Sequence, residues 1–188
     1  MFDLRLTDIA GGNISVRQRD HLYITPTGAG QKWLWDLSPA DILRCPIHTD
    51  ELLQHPLHSN ESISHLAIYR AFPEACAAIH AHPFHLGPFL AAGIGPKPLV
   101  LEAILYGELE FIPDMPLYAP EQGAAVVEKL APRRELIARK AAAVLMPRHG
   151  IFIAGRDLLS CLDCLERIDK SAWTHVAARL VAPSLLES

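Results

Sequence analysis

Residues 76–82 read Cys76-Ala-Ala-Ile-His-Ala-His82, a short run of small apolar residues that ends in two histidines. A continuous apolar run of this length predicts a buried β-strand. Side chains two positions apart on a strand point to the same face, so the imidazoles of His80 and His82 can share one cation. The alternative for such a pair is an ordinary polar pair that is satisfied within the fold. The segment therefore predicts a sheet in which one strand delivers two histidines at its end.

The residues before this strand predict an amphipathic helix over 62–72. Pro73 stops the pattern, because proline cannot continue a helix. Glu61 lies immediately before the helix, and His65 lies within it. The apolar positions of the helix are Ile63, Leu66, Ala67 and Phe72.

Other segments predict a mixture of strands and helices. Further strands are predicted over 13–17, 22–25, 108–113, 143–146 and 151–153. Helices are predicted over 84–92, 121–130, 135–143 and 157–182, with a capped helical turn at 38–43 and a flexible loop at 27–30. The order lacks a strict alternation of strand and helix, which favours an α/β sandwich in which helices cover a sheet.

Composition limits the classes of protein that the chain can represent. Half of its 188 residues are hydrophobic and a fifth are charged, which predicts one globular domain over residues 1–188. The net charge of -4 argues against nucleic acid as a partner. No apolar run approaches the roughly 18 residues of a membrane span, and the first residues lack the basic segment of a signal peptide. We therefore expect a cytoplasmic protein without a membrane partner.

Histidine is over-represented, with ten in the chain and seven of them between residues 48 and 85. Such an excess points to metal or proton chemistry. His149 lies in a predicted turn, before a glycine that permits close backbone approach. Together with Glu61, the three imidazoles of His80, His82 and His149 make a suitable zinc set, in which the carboxylate can leave the metal and act as a base.

Three polar loop segments suggest a site for a phosphate or a carboxylate. Small residues with hydroxyl or amide side chains and exposed backbone N–H groups form anion-binding nests, although each segment alone is also common in ordinary turns. The segments are Gly11-Gly12-Asn13, Thr27-Gly28 and Ser59-Asn60.

The pair Cys161-x-x-Cys164 is a competing metal or redox motif. It falls inside the predicted helix 157–182, and the chain has no second cysteine pair of this kind. We therefore expect two thiols packed against the core. His175 and Glu166 on the same helix are expected to be solvated or to lie in an interface.

Taken in order, these motifs resemble the class II aldolase/adducin family, whose members include fuculose-phosphate aldolases and ribulose-phosphate 4-epimerases. The resemblance runs from about residue 10 to residue 180. It rests on Gly12-Asn-Ile-Ser-Val-Arg17, Ile24-Thr-Pro-Thr-Gly28, Ser59-Asn-Glu61 followed by His65, His80-Ala-His82 and Arg148-His-Gly150.

The resemblance implies a three-layer α/β/α sandwich with a mixed, largely antiparallel sheet, assembled into homotetramers with active sites between subunits. It implies a Zn²⁺ ion, or another divalent metal, held by His80, His82 and His149, with Glu61 as a further ligand and the acid/base. It assigns the phosphate of a small phosphorylated sugar or keto substrate to Asn13, Thr27, Gly28, Ser59 and Asn60.

The implied reaction is retro-aldol cleavage of a phosphorylated ketose, in which the metal acts as a Lewis acid and Glu61 moves the proton. The chain departs from the family pattern at Asn60, where a second serine is usual. Where some of the family's aldolases place a tyrosine proton donor, the chain has Glu102, with Tyr106 close behind. The donor is therefore left open between Glu102, Tyr106 and a residue of a neighbouring chain.

Two alternatives accompany this interpretation. One keeps the metal site and changes the reaction to 4-epimerisation or dehydration of a sugar phosphate. The other is a non-catalytic oligomerisation domain like the adducin head. Retention of Glu61, His80, His82 and His149 argues against the second alternative, because a scaffold has no physical need for them.

Overall fold

The computed structural model describes residues 1–116 and 119–182. The strands in those ranges are β1 (Asn13–Gln18), β2 (His21–Ile24), β3 (Leu43–Pro46), β4 (Ala77–Ala81), β5 (Ala141–Leu145) and β6 (Ile151–Gly155). The α-helices are α1 (Ala29–Trp33), α2 (Glu51–Gln54), α3 (Ser62–Ala71), α4 (Gly87–Ala92), α5 (Leu101–Ile104), α6 (Gln122–Leu130), α7 (Arg134–Arg139) and α8 (Leu158–Val181). Short 3₁₀ helices span Phe2–Leu4, Pro39–Asp41 and Ala131–Arg133.

The strands form one six-stranded sheet in the order β3-β2-β1-β4-β6-β5. Neighbouring strands are antiparallel, and Phe111 adds a single parallel bridge to Leu145. The register sets Asn13 at the start of β1 opposite His80 near the end of β4. It also sets Ala81 opposite Ile151 at the start of β6. The start of β1, the end of β4 and the start of β6 therefore meet at one end of the sheet.

Helices cover both faces of this sheet. Strands β4, β5 and β6 are buried along their whole length, and alternate residues contribute to two separate cores. One core contains Phe152 of β6 and packs against α3, α6 and α7. The other contains Ile153 and packs against α8. The prediction of a three-layer α/β/α sandwich with a mixed, largely antiparallel sheet is therefore confirmed.

Most predicted elements are present, and several boundaries are wrong. Residues 108–113 were expected to form a strand, but they contribute only the bridge at Phe111. The helix expected over 135–143 ends at Arg139, and β5 begins at Ala141. The alanines that favour a helix in isolation are here buried between two cores, and tertiary packing overrides propensity. The loop expected at 27–30 contains the start of α1. The sequence interpretation also missed β3, α2 and α5.

Helix α8 begins as predicted, because the Asp157 side chain accepts a hydrogen bond from the Ser160 backbone N–H at 2.7 Å. Cys161 and Cys164 are fully buried free thiols, which confirms that they are core residues. His175 was expected to be solvated or to lie in an interface, and the first alternative is wrong. His175 is buried, and its Nδ1 accepts a hydrogen bond from the backbone N–H of Lys97.

In the described ranges, no helix combines the length and the apolar character that a membrane span requires.

Candidate active site

Three histidines converge at the end of the sheet where β4 and β6 meet. His80 lies near the end of β4, His82 just beyond it, and His149 in the turn before β6. One nitrogen from each ring lies within 4.8 Å of the others, and Nε2 of His80 is 3.1 Å from Nε2 of His82. Two nitrogens bound tetrahedrally at about 2.0–2.1 Å from one ion are about 3.3 Å apart. The spacing of the pair therefore suits a single small cation.

Gly150 allows this convergence. A Cβ atom at this position would lie 2.5 Å from the carbonyl oxygen of Ala81, and 2.9 and 3.0 Å from ring atoms of His82 and His80. Only a residue without a side chain lets the turn approach β4 this closely.

Burial keeps two of these imidazoles neutral. It lowers the pKa of His149 to about 4, with a further contribution from His82. The pKa of His80 is held well below its usual value, first by burial and then by the neighbouring histidines. A neutral imidazole is the form that binds a metal ion. The Nδ1 atom of His80 lies 3.2 Å from the carbonyl oxygen of Ile151, which orients the ring so that Nε2 faces the cluster.

Glu61 faces the histidines from the N-terminal end of α3. Its Oε2 accepts a hydrogen bond from Nε2 of Gln122, on α6. Its Oε1 is buried, has no hydrogen-bond partner among the described residues, and lies 3.9 Å from Nε2 of His149. Burial raises the pKa of Glu61 to about 7, against a smaller lowering effect of Gln122. The pair with His149 is therefore not a salt bridge, because burial disfavours the charged form of each partner.

One cavity of about 170 Å³ brings the predicted site residues together. Its floor is the histidine cluster with Glu61, and its walls are the three polar loops. All of the predicted positions line it: Asn13, Thr27, Gly28, Ser59, Asn60, Glu61, His80, His82 and His149. The side chains of Asn13 and Ser59 are joined by a hydrogen bond of 2.9 Å.

A wider cavity of about 910 Å³ opens beside the first and shares His82 and His149 with it. Its other walls come from the N-terminal residues and from the start of α4, among them Arg5, Asp8 and Phe84. The histidine cluster therefore lies between a small polar cavity and a larger, more apolar one.

The residues present fit a divalent cation. A buried carboxylate oxygen without a hydrogen-bond partner would be costly unless something occupies it. Neutral imidazoles and one carboxylate are donors that zinc accepts. His80, His82, His149 and Glu61 supply that donor set within one cluster.

The two proton-donor candidates do not lie in this site. Tyr106 is buried, and its hydroxyl donates a hydrogen bond of 2.8 Å to Asp163, which lies on α8. Glu102 is exposed on α5. Neither residue lines the two cavities around the histidines.

Comparison with known proteins identifies the family of the chain. The family model "Class II Aldolase and Adducin N-terminal domain" matches residues 1–176. The chain belongs to this family. As a class II aldolase/adducin domain, it is similar to two curated proteins from Haemophilus influenzae. One is an L-fuculose phosphate aldolase, 28% identical over 191 residues that cover 97% of this chain and 75% of the relative. The other is a 3-oxo-tetronate 4-phosphate decarboxylase, 29% identical over 170 residues that cover 86% of this chain and 74% of the relative.

A solved structure shows the same fold. The L-fuculose-1-phosphate aldolase from Thermus thermophilus superposes with a TM-score of 0.75 at 25% identity. The match covers 95% of this chain and 88% of that one.

Sequence reasoning missed two residues of this class II aldolase/adducin domain that contact the cluster. Gln122 lies far from Glu61 in the sequence, and the two meet because Gly123 lets α6 approach α3. Nothing local in the sequence signals that contact. Oδ1 of Asp8 accepts hydrogen bonds from the backbone N–H groups of Ala10 and Gly11. Its Oδ2 lies 3.4 Å from Nδ1 of His82. An aspartate just before glycines is a turn signal, and it was available in the sequence.

Proposed function

We propose that this chain is a divalent-metal-dependent lyase, with zinc as the metal, that cleaves a small phosphorylated ketose by retro-aldol chemistry. The observation that carries the proposal is a single cavity in which three clustered histidines and the unpartnered Oε1 of Glu61 face loops of small polar residues. The family membership and the fuculose-phosphate aldolase relatives support it.

In this proposal His80, His82, His149 and Glu61 hold the metal. The bound cation supplies a Lewis acid that stabilises negative charge as it develops on the substrate. The chain contributes a set of histidine nitrogens that are already held together, so little reorganisation is needed as the charge forms.

Glu61 is the proposed acid/base. Burial brings its pKa to about 7, where a carboxyl group both accepts and returns a proton near neutral pH. In retro-aldol cleavage a base removes the proton of the hydroxyl group that becomes the new carbonyl. The bond between the two carbons then breaks, its electron pair passes to the side of the existing carbonyl, and the carbon that gains this charge takes up a proton. A second proton-transfer group would accept the hydroxyl proton. Glu61, protonated and released from the metal, would deliver the other proton to carbon while Gln122 holds its other oxygen.

Asn13, Thr27, Gly28, Ser59 and Asn60 are the proposed binding residues for the substrate phosphate. Asn13 and Ser59 are nine-tenths or more buried, so their positions are fixed by packing. The shape and small size of the cavity suit a short phosphorylated chain better than a large ligand.

Since Tyr106 is engaged with Asp163, we propose that the second proton-transfer group comes from a neighbouring chain of a homotetramer. Exposed apolar side chains on α5 and α8 support an oligomer, because such patches mark interfaces. Examples are Leu101 at 83% exposure and Leu180 at 78%. Glu102 is exposed on α5, and we propose it as a candidate for the group that reaches the cavity of a neighbouring chain.

Decarboxylation of a phosphorylated 3-oxo acid is the second candidate reaction. The 3-oxo-tetronate 4-phosphate decarboxylase relative favours it. Loss of carbon dioxide next to a carbonyl leaves the same kind of charge for the site to stabilise, so the metal site serves either reaction.

A product assay on protein purified without a histidine tag tests the proposal. We expect about one zinc per chain by elemental analysis, and release of glycerone phosphate from at least one member of a ketose-phosphate panel. Release of carbon dioxide from a 3-oxo acid phosphate instead would assign the second reaction, and a changed sugar without fragments would assign an epimerase. Full metal content in a His80→Ala variant would contradict the proposed site.

Location and domain organisation remain predictions. The four cysteines are free, which is compatible with the reducing cytoplasm that we propose. We also propose that residues 1–188 form a single domain, of which the family model matches residues 1–176.

A further inference from the structure

A chain of buried polar side chains connects the interior of α3 with the polar loops of the cavity. The hydroxyl of Tyr69 lies 2.8 Å from Oγ of Ser15, which lies 2.6 Å from Nδ1 of His65. Nε2 of His65 contacts Oδ1 of Asn13, and Nδ2 of Asn13 lies 2.9 Å from Oγ of Ser59. The five side chains are all buried. We call this chain the polar relay.

The chemistry of the groups gives the polar relay a direction. Oδ1 of Asn13 can only accept, so Nε2 of His65 must carry the proton. Burial lowers the pKa of His65 to about 3, so the ring is neutral and its Nδ1 must accept. Ser15 therefore donates to His65, and Tyr69 donates to Ser15. Each hydrogen bond points from α3 toward the cavity.

Because the hydrogen bonds of the polar relay run toward the cavity, hydrogen-bond donors of its last residues face a ligand there. Oγ of Ser59 accepts from Nδ2 of Asn13 and also from the backbone N–H of Glu61 at 3.2 Å. With both lone pairs of Ser59 used, its own O–H is free to donate elsewhere. The second N–H of Asn13 is likewise available. Both residues line the cavity, so it presents hydrogen-bond donors to whatever enters.

The opposite direction is the competing state. If the Asn13 amide turned over, its oxygen would face Ser59, and Ser59 would donate to it instead of to a ligand. The whole chain would then reverse, and the Tyr69 O–H would need another acceptor. Ser15 is the one hydrogen-bond partner that the described residues offer this hydroxyl. Since a buried unpaired donor costs free energy, Tyr69 disfavours the reversed state.

We infer that Tyr69, Ser15 and His65 are positioning residues that hold Asn13 and Ser59 as hydrogen-bond donors toward the phosphate group of the substrate. A phosphate dianion offers only acceptors at its oxygens, so the direction of the polar relay decides whether the cavity attracts or repels it. The inference rests on the proposed function for the identity of the anion. The direction itself follows from the contacts of the five side chains and from the burial of His65.

The tautomer of His65 tests the direction in the wild-type protein. Nitrogen-15 NMR of histidine-labelled protein at neutral pH distinguishes a proton on Nε2 from one on Nδ1. We expect the Nε2–H form for His65. An Nδ1–H form would mean that the polar relay points away from the cavity and would overturn the inference.

Phosphate affinity tests the consequence at a distance. Inorganic phosphate is titrated calorimetrically into metal-loaded Ser15→Ala and Ser171→Ala proteins, with metal content measured in both. Each variant loses one buried serine hydroxyl, but only Ser15 belongs to the polar relay. Without Ser15, the described residues offer Nδ1 of His65 no hydrogen-bond partner in either direction, so the forward direction loses its advantage. We expect affinity about three- to tenfold weaker in Ser15→Ala and unchanged in Ser171→Ala. Equal affinities in the two variants, or no phosphate binding by the wild type, would overturn the inference. If Ser15→Ala fails to fold, the tautomer measurement decides.

These results separate the inference from the proposed function. Cleavage of a ketose phosphate with an unchanged KM in Ser15→Ala would leave the proposed function standing and remove the polar relay. Conversely, selective loss of phosphate affinity in a protein that cleaves and decarboxylates none of the tested substrates would support the polar relay and contradict the proposed reaction.

Discussion

Gln122 occupies one oxygen of the Glu61 carboxylate and leaves the other facing the histidines. Its Nε2 donates to Oε2 of Glu61 and, at 3.0 Å, to Oγ of Ser64, so the amide is anchored to α3 at two points. The carboxylate is thereby fixed in one rotation, with Oε1 toward His149.

Replacing Gln122 with leucine should reduce kcat about 10- to 100-fold, because a proton-transfer group that rotates freely loses its alignment. We expect the metal content to be retained, since the histidines are unchanged. Steady-state kinetics on the substrate found in the product assay measures the effect. Gln54→Leu, at an exposed position of α2, is the control, and equal activity of the two variants would contradict the role of Gln122.

Gly150→Ala should weaken metal binding by more than about tenfold. The new methyl group would collide with the backbone of β4 and with the rings of His80 and His82. Competition with a chromogenic chelator gives the affinity. Gly87→Ala is the control, because a Cβ atom at Gly87 meets nothing within 4 Å. Wild-type metal affinity in Gly150→Ala would show that the histidines are not held as described.

Asp8→Asn should weaken metal binding about tenfold. A histidine that binds a metal through one ring nitrogen is oriented by the group that accepts a hydrogen bond from its other ring nitrogen. For His82 that group is Asp8. Asparagine can keep the backbone hydrogen bonds to Ala10 and Gly11 through its oxygen, but its amide nitrogen cannot accept from His82. The same chelator competition applies. Asp3→Asn removes the same charge from the wall of the wider cavity, and an equal loss there would indicate a general charge effect.

Burial of His65 predicts a loss of stability in acid. Its pKa is about 3 in the folded chain against 6.5 when exposed, so the unfolded state binds more protons between these values. The free energy of unfolding should therefore fall as pH falls through this window, by about 2 kcal/mol from His65 between pH 6.5 and about pH 4.5. Urea unfolding of wild type and His65→Gln at several pH values checks it. We expect a shallower pH dependence in the variant, and parallel curves would contradict the prediction.

The sequence was most informative where local pattern and burial agree. The hairpin, α3, β4 and α8 follow from apolar spacing and end signals, and the motif residues do line one cavity. Residues 108–113 have an apolar pattern but only one bridge to β5, so periodicity alone misassigned them. The burial of His175 depends on the loop that carries Lys97, which no helical pattern reveals.

Contacts between distant elements explain what was missed at the site. The pairing of Gln122 with Glu61 requires the packing of α6 on α3, and it has no signature at either position. The sequence alone indicates only part of the polar relay. Asn13 and Ser15 share a strand face, and His65 and Tyr69 share a helix face, but only the fold sets these faces against each other.

Strands β1, β4 and β6 meet at one end of the sheet, where paired strands position one part of the site and loops form the other part. His80 is fixed by strand pairing on both sides, whereas Thr27, Gly28 and Asn60 lie in connections that the sheet does not constrain. Substitutions in those connections can change which substrate enters without disturbing the groups that would perform the chemistry. A library confined to these three positions, which are proposed to bind the phosphate, would therefore change the anion that the cavity accepts while metal affinity is retained.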